Sequence, residues 1–515
     1  MILLKPRPKS EEGGLRIARF LWGTSSKPLW LFGAAVLLLL AMLGSRQLWT
    51  HEGRWAVICQ EMLRSGDFLH PYLYDQPYYD KPLLSYWLMI GFARVFAVLN
   101  EWALRLPSAL SGVLAVWCTY RLGRHLFGRP AGLLAGWILV TCFYFVFWGR
   151  VAGSDMLNVA GTVAAVVWFF ERKNRPSFVF YGVFFSIMAL TSLTKGLIGL
   201  VVPLLVLLPP LLSGQEWRKH LRASLFLAVI PAILLYLLPF ILSSASGGKY
   251  YKESGLAMVF RENFVRFFQP FDHKGHILTY FKSLPLYMLP WSIFLPFAIW
   301  RAVRQWKSMN TAHRWPVWAS LLIFGFLTAS GSRRGYYILP ILPFAALVMA
   351  DWIMAGREEQ DRRHVLAAWL SVPSALLMLA WFGLVQPYLE SFGGLRLMAK
   401  EVHGVLESKA PLPDREVVVY GIPPMAAYYL SLSKTPHDLG NPSKECLIRL
   451  KAFLIEKPGT LVLTKKEYHD DILPYLLQPT LIQEKPRLPR FLRNEKTDGD
   501  AVIAFIPSFE EKSSR

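Results

Sequence analysis

Glu52, Asp80, Lys81, Arg150, Asp155, Lys195, His273, Arg333 and Arg334 are ionisable residues set at the ends of long apolar runs. A charged group at membrane depth is costly unless it is paired or wetted, so such a set gathered on one side of a bilayer marks a polar cavity. Lys81, Lys195, Arg150, Arg333 and Arg334 suit a phosphate or pyrophosphate group, the arginines as bidentate forks and the lysines as point charges. Any one of them could instead snorkel to the lipid headgroups. What favours a shared cavity is their number on one side.

The elements that must position them are apolar helices. Residues of the types AVILMFWYC make up 54% of the 515-residue chain, and apolar runs fall at about 28–46, 83–98, 105–123, 131–148, 156–171, 177–193, 197–213, 223–242, 283–300, 315–331, 335–353 and 365–386. The run 83–98 is short, follows Lys81 and Pro82, and carries Tyr86, Trp87 and Arg94, which suits an interfacial helix. Without it, eleven spans put every basic loop on the cytoplasmic side: Arg121/Arg124/Arg129, Arg172/Lys173/Arg175, Arg218/Lys219/Arg222, Arg301/Arg304/Lys307/Arg314 and Arg357/Arg362/Arg363. The net charge of +21 is thus explained by membrane orientation, and its scatter among short loops argues against nucleic acid as a partner. The polar residues 1–27 are expected inside, leading into an uncleaved anchor, with the C-terminus outside. Cys59, Cys118, Cys142 and Cys446 form no paired motif and read as small apolar side chains.

This topology divides the chain into a cytoplasmic segment 1–27, a transmembrane domain 28–390 with long outer loops 47–104 and 243–282, and a soluble outer domain 391–515. In the outer domain, strand-like runs at 416–420, 460–464 and 501–506 alternate with helical stretches at 423–432 and 466–477, which predicts a small α/β domain. In the first loop Trp55, Ile58, Cys59, Met62 and Leu63 recur at helical spacing, so 52–64 is expected to be an amphipathic surface helix ended by Gly66.

Several short motifs then follow in a fixed order. They are His51-Glu52-Gly53-Arg54-Trp55, Glu61 to Asp67, Tyr79-Asp80-Lys81-Pro82 with Tyr86-Trp87, Gly149 to Asp155, Leu193-Thr194-Lys195-Gly196, His273 with Tyr280, and Ser332 to Pro340. Together they resemble the polyprenyl-phosphate-dependent GT-C glycosyltransferases, most of all the lipid A 4-amino-4-deoxy-L-arabinose transferases and the protein O-mannosyltransferases. The likeness covers most of residues 28–355. It implies an α-helical polytopic membrane protein of GT-C type, with about eleven transmembrane helices, amphipathic juxtamembrane helices and a small C-terminal α/β extracytoplasmic domain.

The resemblance also implies roles. Lys81, Arg333, Arg334, Lys195 and Arg150 would bind the donor phosphate, and Arg54, Tyr79, Tyr336 and Tyr337 would line the substrate. Asp80 and His273 match positions that ligate a divalent metal, zinc or another cation. Glu52, Asp155 and His51 are the candidates for the base. Where the family has an aspartate beside the glutamate this chain has His51, which can also accept a proton near neutral pH, and Gly275-His276 replace a frequent proline. The implied reaction is inverting transfer of a sugar from a polyprenyl-phosphate donor to a glycolipid such as lipid A, a polysaccharide or a protein, at the outer face of a bacterial inner membrane among its lipids. A flippase for a lipid-linked sugar, or a scaffold inactivated at His51, are the alternatives. Against a flippase, no inverted repeat is visible and the ionisable set lies on one side.

Overall fold

The computed structural model describes residues 9–74, 76–246, 261, 265, 268, 275–355, 362–409, 416–422, 425–430, 437–439, 443–457, 460–476, 479–483 and 502–506. It divides into two compact units: Met1–Ala41 with Asp80–Leu88 and Arg105–Trp381, and Met42–Tyr79 with Met89–Leu104 and Phe382–Arg515.

The first unit is helical. Four helices among the described residues are long and apolar enough to cross a membrane: Phe178–Lys195, Ala223–Ala245 and Gly335–Met354 in this unit, and Arg362–Val405, of which residues up to Trp381 belong to it. Two bent pairs raise this to six if each counts as one span: Arg129–Val140 with Phe143–Gly149, bent by 70°, and Thr279–Tyr287 with Trp291–Arg304, bent by 114°. Helix Phe178–Lys195 packs against Asp155–Arg172, Ile198–Leu212 and Ala223–Ala245. Helix Arg129–Val140 packs against Leu342–Met354. It lies so close to Glu101–Phe127 that a Cβ on Gly132 would stand 2.5 Å from the Tyr120 carbonyl oxygen, and one on Gly123 would stand 2.8 Å from the Gly132 Cα. Small residues let helix backbones meet in this way where no hydrophobic effect drives them together.

The apolar runs 131–148 and 283–300 are each broken into two helices. Hydropathy registers transfer into lipid but not the path of the backbone, and Pro290 brings no amide to continue the second helix. The two breaks serve each other. The Phe143 amide donates to the Leu289 carbonyl at 3.1 Å, and the Trp291 indole N–H donates to Thr141 Oγ1 at 2.9 Å. Irregular backbone inside a membrane protein persists only where such groups are satisfied.

The second unit holds the amphipathic helix of the first loop, which runs Thr50–Ser65, buries Trp55, Ile58, Cys59 and Met62, and ends at Gly66 as its spacing predicted. A two-residue hairpin, β1 (Tyr72–Leu73) and β2 (Gln76–Pro77), follows it. The C-terminal part is a five-stranded mixed sheet of β3 (Val417–Tyr420), β4 (His437–Asp438), β5 (Leu461–Lys465), β6 (Thr480–Gln483) and β7 (Val502–Ile506), in the order β4-β3-β5-β7-β6. The strand β3 is parallel to β4 and β5, and β7 is antiparallel to β5 and β6. Continuous apolar runs such as Val417-Val418-Val419 mark strands buried on both faces. Helix Lys444–Glu456 contributes Leu450 and Leu454 to the core with Val418, Val462 and Phe505. Within the same unit Glu101 accepts from the Tyr429 hydroxyl at 2.8 Å and pairs with Arg396, and the Leu48 amide donates to Tyr429 at 2.7 Å.

Candidate active site

In the first unit Asp155 opens helix Asp155–Arg172 and Lys195 closes helix Phe178–Lys195. Each suits the macrodipole at its end, an anion at an N-terminus and a cation at a C-terminus. The Lys195 ammonium pairs with Asp155 Oδ1, and both side chains are mostly buried. The same ammonium lies 4.8 Å from the centre of the Tyr337 ring and 5.9 Å from that of Tyr336, within reach of cation–π attraction. Arg334 donates to the Tyr336 hydroxyl at 3.2 Å. Behind Tyr336 stands Trp148, with ring centroids 4.4 Å apart, and its indole N–H donates to Tyr287, which stacks on Tyr144. Trp148, Tyr287 and Tyr144 were not among the sequence candidates. The one signal was the aromatic run leading into Gly149.

Two further contacts hold the edges of this site. Ser85 donates to the Thr194 carbonyl at 3.2 Å, pinning the segment that carries Asp80 and Lys81 to the last turn before Lys195. Ser108 donates to the Gly153 carbonyl at 3.1 Å, fixing the turn before Asp155. Lys81 itself pairs with Asp80 Oδ2 at 2.9 Å.

The remaining cations differ in their partners. Arg150 is buried and donates to the carbonyls of Leu38 and Leu39 at 3.0 and 3.2 Å, serving groups at the C-terminus of helix Pro28–Leu40 that have no partner within the helix. Arg333 donates to the Thr328 carbonyl at 2.8 and 3.2 Å and to the Gly275 carbonyl at 2.8 Å. A Cβ on Gly275 would stand 2.7 Å from the Arg333 carbonyl oxygen, so glycine here permits the close approach.

His51, Glu52, Arg54 and Tyr79 belong to the second unit. Glu52 is fully buried and accepts from the Trp49 amide at 2.8 Å, one half of a capping box, and from Arg46 at 2.9 Å. The His51 ring sits 4.7 Å from that of Trp49. Arg54 donates to the Tyr78 hydroxyl, and Tyr79 donates to the Leu69 carbonyl at 3.4 Å. Partial burial would raise the Asp67 carboxyl, but the amides of Leu69 and His70 and the His70 ring hold it below the ordinary carboxylate range.

Of the two expected metal ligands, His273 lies outside the described residues and Asp80 is held by Lys81. Among the described residues no three His, Cys, Asp or Glu side chains stand close enough together to hold a metal. The described donors do not make up a metal site.

Comparison with known proteins fits this architecture. Residues 80–242 match the dolichyl-phosphate-mannose-protein mannosyltransferase family. An undecaprenyl phosphate-alpha-4-amino-4-deoxy-L-arabinose arabinosyl transferase of Pseudomonas fluorescens is 28% identical over 69% of this chain and 63% of its own length. The chain thus spans a little under two thirds of that relative. Among solved structures, ArnT from Cupriavidus metallidurans bound to undecaprenyl phosphate superposes with a TM-score of 0.71 at 18% identity, covering 93% of this chain and 97% of that one. The Archaeoglobus fulgidus oligosaccharyltransferase in complex with zinc and sulfate gives 0.52 at 13% identity, covering 85% and 68%. The chain therefore has the GT-C-type multi-pass membrane fold and resembles the aminoarabinose transferase and protein mannosyltransferase families.

Proposed function

We propose that this protein is a membrane glycosyltransferase that moves a sugar from a polyprenyl-phosphate donor to an acceptor at the outer face of a bacterial inner membrane, the acceptor being lipid A, another glycan or glycolipid, or a protein. The observation that carries the reading is the Asp155–Lys195 pair set against Tyr336 and Tyr337 with Arg334 at its edge, a carboxylate and cations within an aromatic wall. The undecaprenyl phosphate bound by the Cupriavidus protein supports this donor class.

In this reading the acceptor oxygen attacks the anomeric carbon as the bond from that carbon to the phosphate oxygen breaks, with inversion, and the electron pair leaves on the phosphate. Lys81, Lys195 and Arg334 stabilise the charge that builds there, an effect that grows where water is scarce. Arg150 and Arg333, spent on carbonyls, contribute by their field and by holding the wall. For a hydroxyl acceptor, Asp155 is favoured over Glu52 and His51 as base. Its carboxylate has one partner among the described residues, whereas Glu52 caps a helix and pairs with Arg46. Arg54 and Tyr79 remain proposed substrate contacts. Zinc or another divalent ion at Asp80 and His273 is supported only by the zinc-bound oligosaccharyltransferase.

The reading includes eleven spans, the N-terminus inside and the domain 391–515 outside. Helix Leu84–Val95 is 12 residues long and, unlike the other short apolar helices Pro28–Leu40 and Ile198–Leu212, carries a cation, Arg94, in its last turn, which supports an interfacial position. Single cysteines in 121–130 and 357–363, labelled in intact cells by an impermeant reagent, would overturn this topology. For the activity, the purified protein is incubated with a radiolabelled polyprenyl-phosphate sugar and candidate acceptors. Release of free polyprenyl phosphate with label on the acceptor is expected, and intact donor with every acceptor would sink the proposal.

A further inference from the structure

Helices Pro28–Leu40 and Glu101–Phe127 touch at one end and part toward the other. At the closed end a Cβ on Gly112 would lie 3.0 Å from Leu39, and seven residues earlier on the first helix Phe32 meets Trp117 edge to face at 6.2 Å. The helices are therefore antiparallel in this stretch. Between them runs a groove of about 520 Å³ lined by Leu29, Phe32, Leu110, Leu114 and Trp117. Leu29, Leu110 and Leu114 are exposed along it.

The stripe Leu110, Leu114, Trp117 continues at helical spacing to Arg121 and Arg124. Arg121 is spent on Glu171, at 2.9 and 3.0 Å. Arg124 is exposed and has no ion-pair partner among the described residues. On the facing chain Lys27, just before Pro28, is likewise exposed and without an ion-pair partner among the described residues. Following the antiparallel register outward from Phe32 and Trp117 places Lys27 roughly 7.5 Å and Arg124 roughly 10.5 Å beyond the aromatic pair at 1.5 Å per residue, within one helical turn of the same level. Trp30, next to Leu29 in the chain, pairs with Phe20 at 5.5 Å, and both are exposed, as aromatic side chains are at a membrane–water boundary.

We infer that this groove is a binding site for an anionic phospholipid of the surrounding bilayer, an acyl chain lying between the two helices and the phosphate meeting Lys27 and Arg124. An apolar channel alone would take any lipid chain. The two cations at its mouth select a negative headgroup. The site is separate from the candidate active site: Leu39, whose carbonyl receives Arg150, lies twelve residues from Lys27, or about 18 Å along the helix. It is independent of the glycosyltransferase reading.

The test uses the full chain purified from vesicles of phosphatidylglycerol and phosphatidylcholine, with retained lipid counted by native mass spectrometry. The wild type is expected to retain phosphatidylglycerol in excess. Lys27→Ala with Arg124→Ala should lower that preference by about tenfold, and Lys27→Gln or Arg124→Gln alone by about threefold. Leu114→Trp, which fills the groove, should reduce both lipids. Thermal unfolding in detergent identifies any variant that fails to fold, and the milder single variants then carry the test. An unchanged preference in folded Lys27/Arg124 variants would overturn the inference. So would displacement of phosphatidylglycerol from this groove by polyprenyl phosphate, which would make it part of the donor path.

Discussion

Two carboxylates of the helical unit, Asp155 and Asp351, each stand among cations, yet their surroundings differ in kind. Asp351 is enclosed: Arg301 donates to Oδ2 at 2.9 Å, His313 meets Oδ1 at 2.6 Å, and the His313 ring stacks on Phe127. Both oxygens are taken, and helices Leu295–Arg304, Thr311–Ala329 and Leu342–Met354 are clipped together. Asp155 gives one oxygen to Lys195, whose ammonium faces two tyrosine rings. The contrast teaches that charge number alone does not identify a site. A carboxylate with both oxygens engaged holds a structure together, whereas one with an oxygen in reserve beside cations on aromatic faces can still take a ligand.

The sharpest way to break this comparison is to neutralise each carboxylate. Asp155→Asn should lower turnover per folded molecule with a hydroxyl acceptor by about 10²–10⁴-fold, the range of general-base catalysis. Asp351→Asn should cost about 1–3 kcal/mol of stability while turnover per folded molecule stays within about threefold. If both variants lose activity without losing stability, the distinction fails. Next in size, Lys81→Ala should weaken donor binding and turnover together by roughly tenfold or more, as expected for a charge-assisted hydrogen bond. Loss of turnover at unchanged donor affinity would confine Lys81 to the transition state.

Glu52→Gln should cost about 1 kcal/mol by weakening the cap of helix Thr50–Ser65, read by hydrogen exchange along that helix, and His51→Ala should be milder still. A nearly inactive but folded His51→Ala enzyme beside active Asp155→Asn would move the base to His51. The smallest effect concerns pH. Because the Asp67 carboxyl is depressed in the fold, its stabilisation is complete above the ordinary carboxylate range and is lost as pH falls through its folded value. Asp67→Asn should flatten that acid limb in hydrogen exchange of residues 67–70, and an unaltered limb would remove Asp67 as its source.

The sequence shows the helical elements as apolar runs, of which four among the described residues, or six with the bent pairs, form helices long and apolar enough to cross a membrane, and it shows helix Thr50–Ser65 because a 3.6-residue period survives on a surface. It does not show the bends at Thr141 and Pro290, where a backbone hydrogen bond from Phe143 to Leu289 and a side-chain hydrogen bond from Trp291 to Thr141 join groups more than a hundred residues apart. It also missed helix Lys444–Glu456, although Ser443 accepts from the Cys446 amide as an N-cap should. The pairing of Asp155 with Lys195 unites two helix ends forty residues apart, and spacing carries no trace of it. Nor could residue type separate Arg334, turned to an aromatic ring, from Arg333, turned to backbone carbonyls.

The paired breaks at Thr141 and Pro290 have a mechanical meaning. Trp148 lies on the arm Phe143–Gly149 and Tyr287 on the arm Thr279–Tyr287, and the hydrogen bonds across the breaks join these arms at a common elbow. The two rings behind Tyr336 are thus hydrogen-bonded to each other and carried on arms that are themselves bonded together. The wall facing Lys195 thus takes its contour from two helix arms tied at one place, rather than from either arm alone.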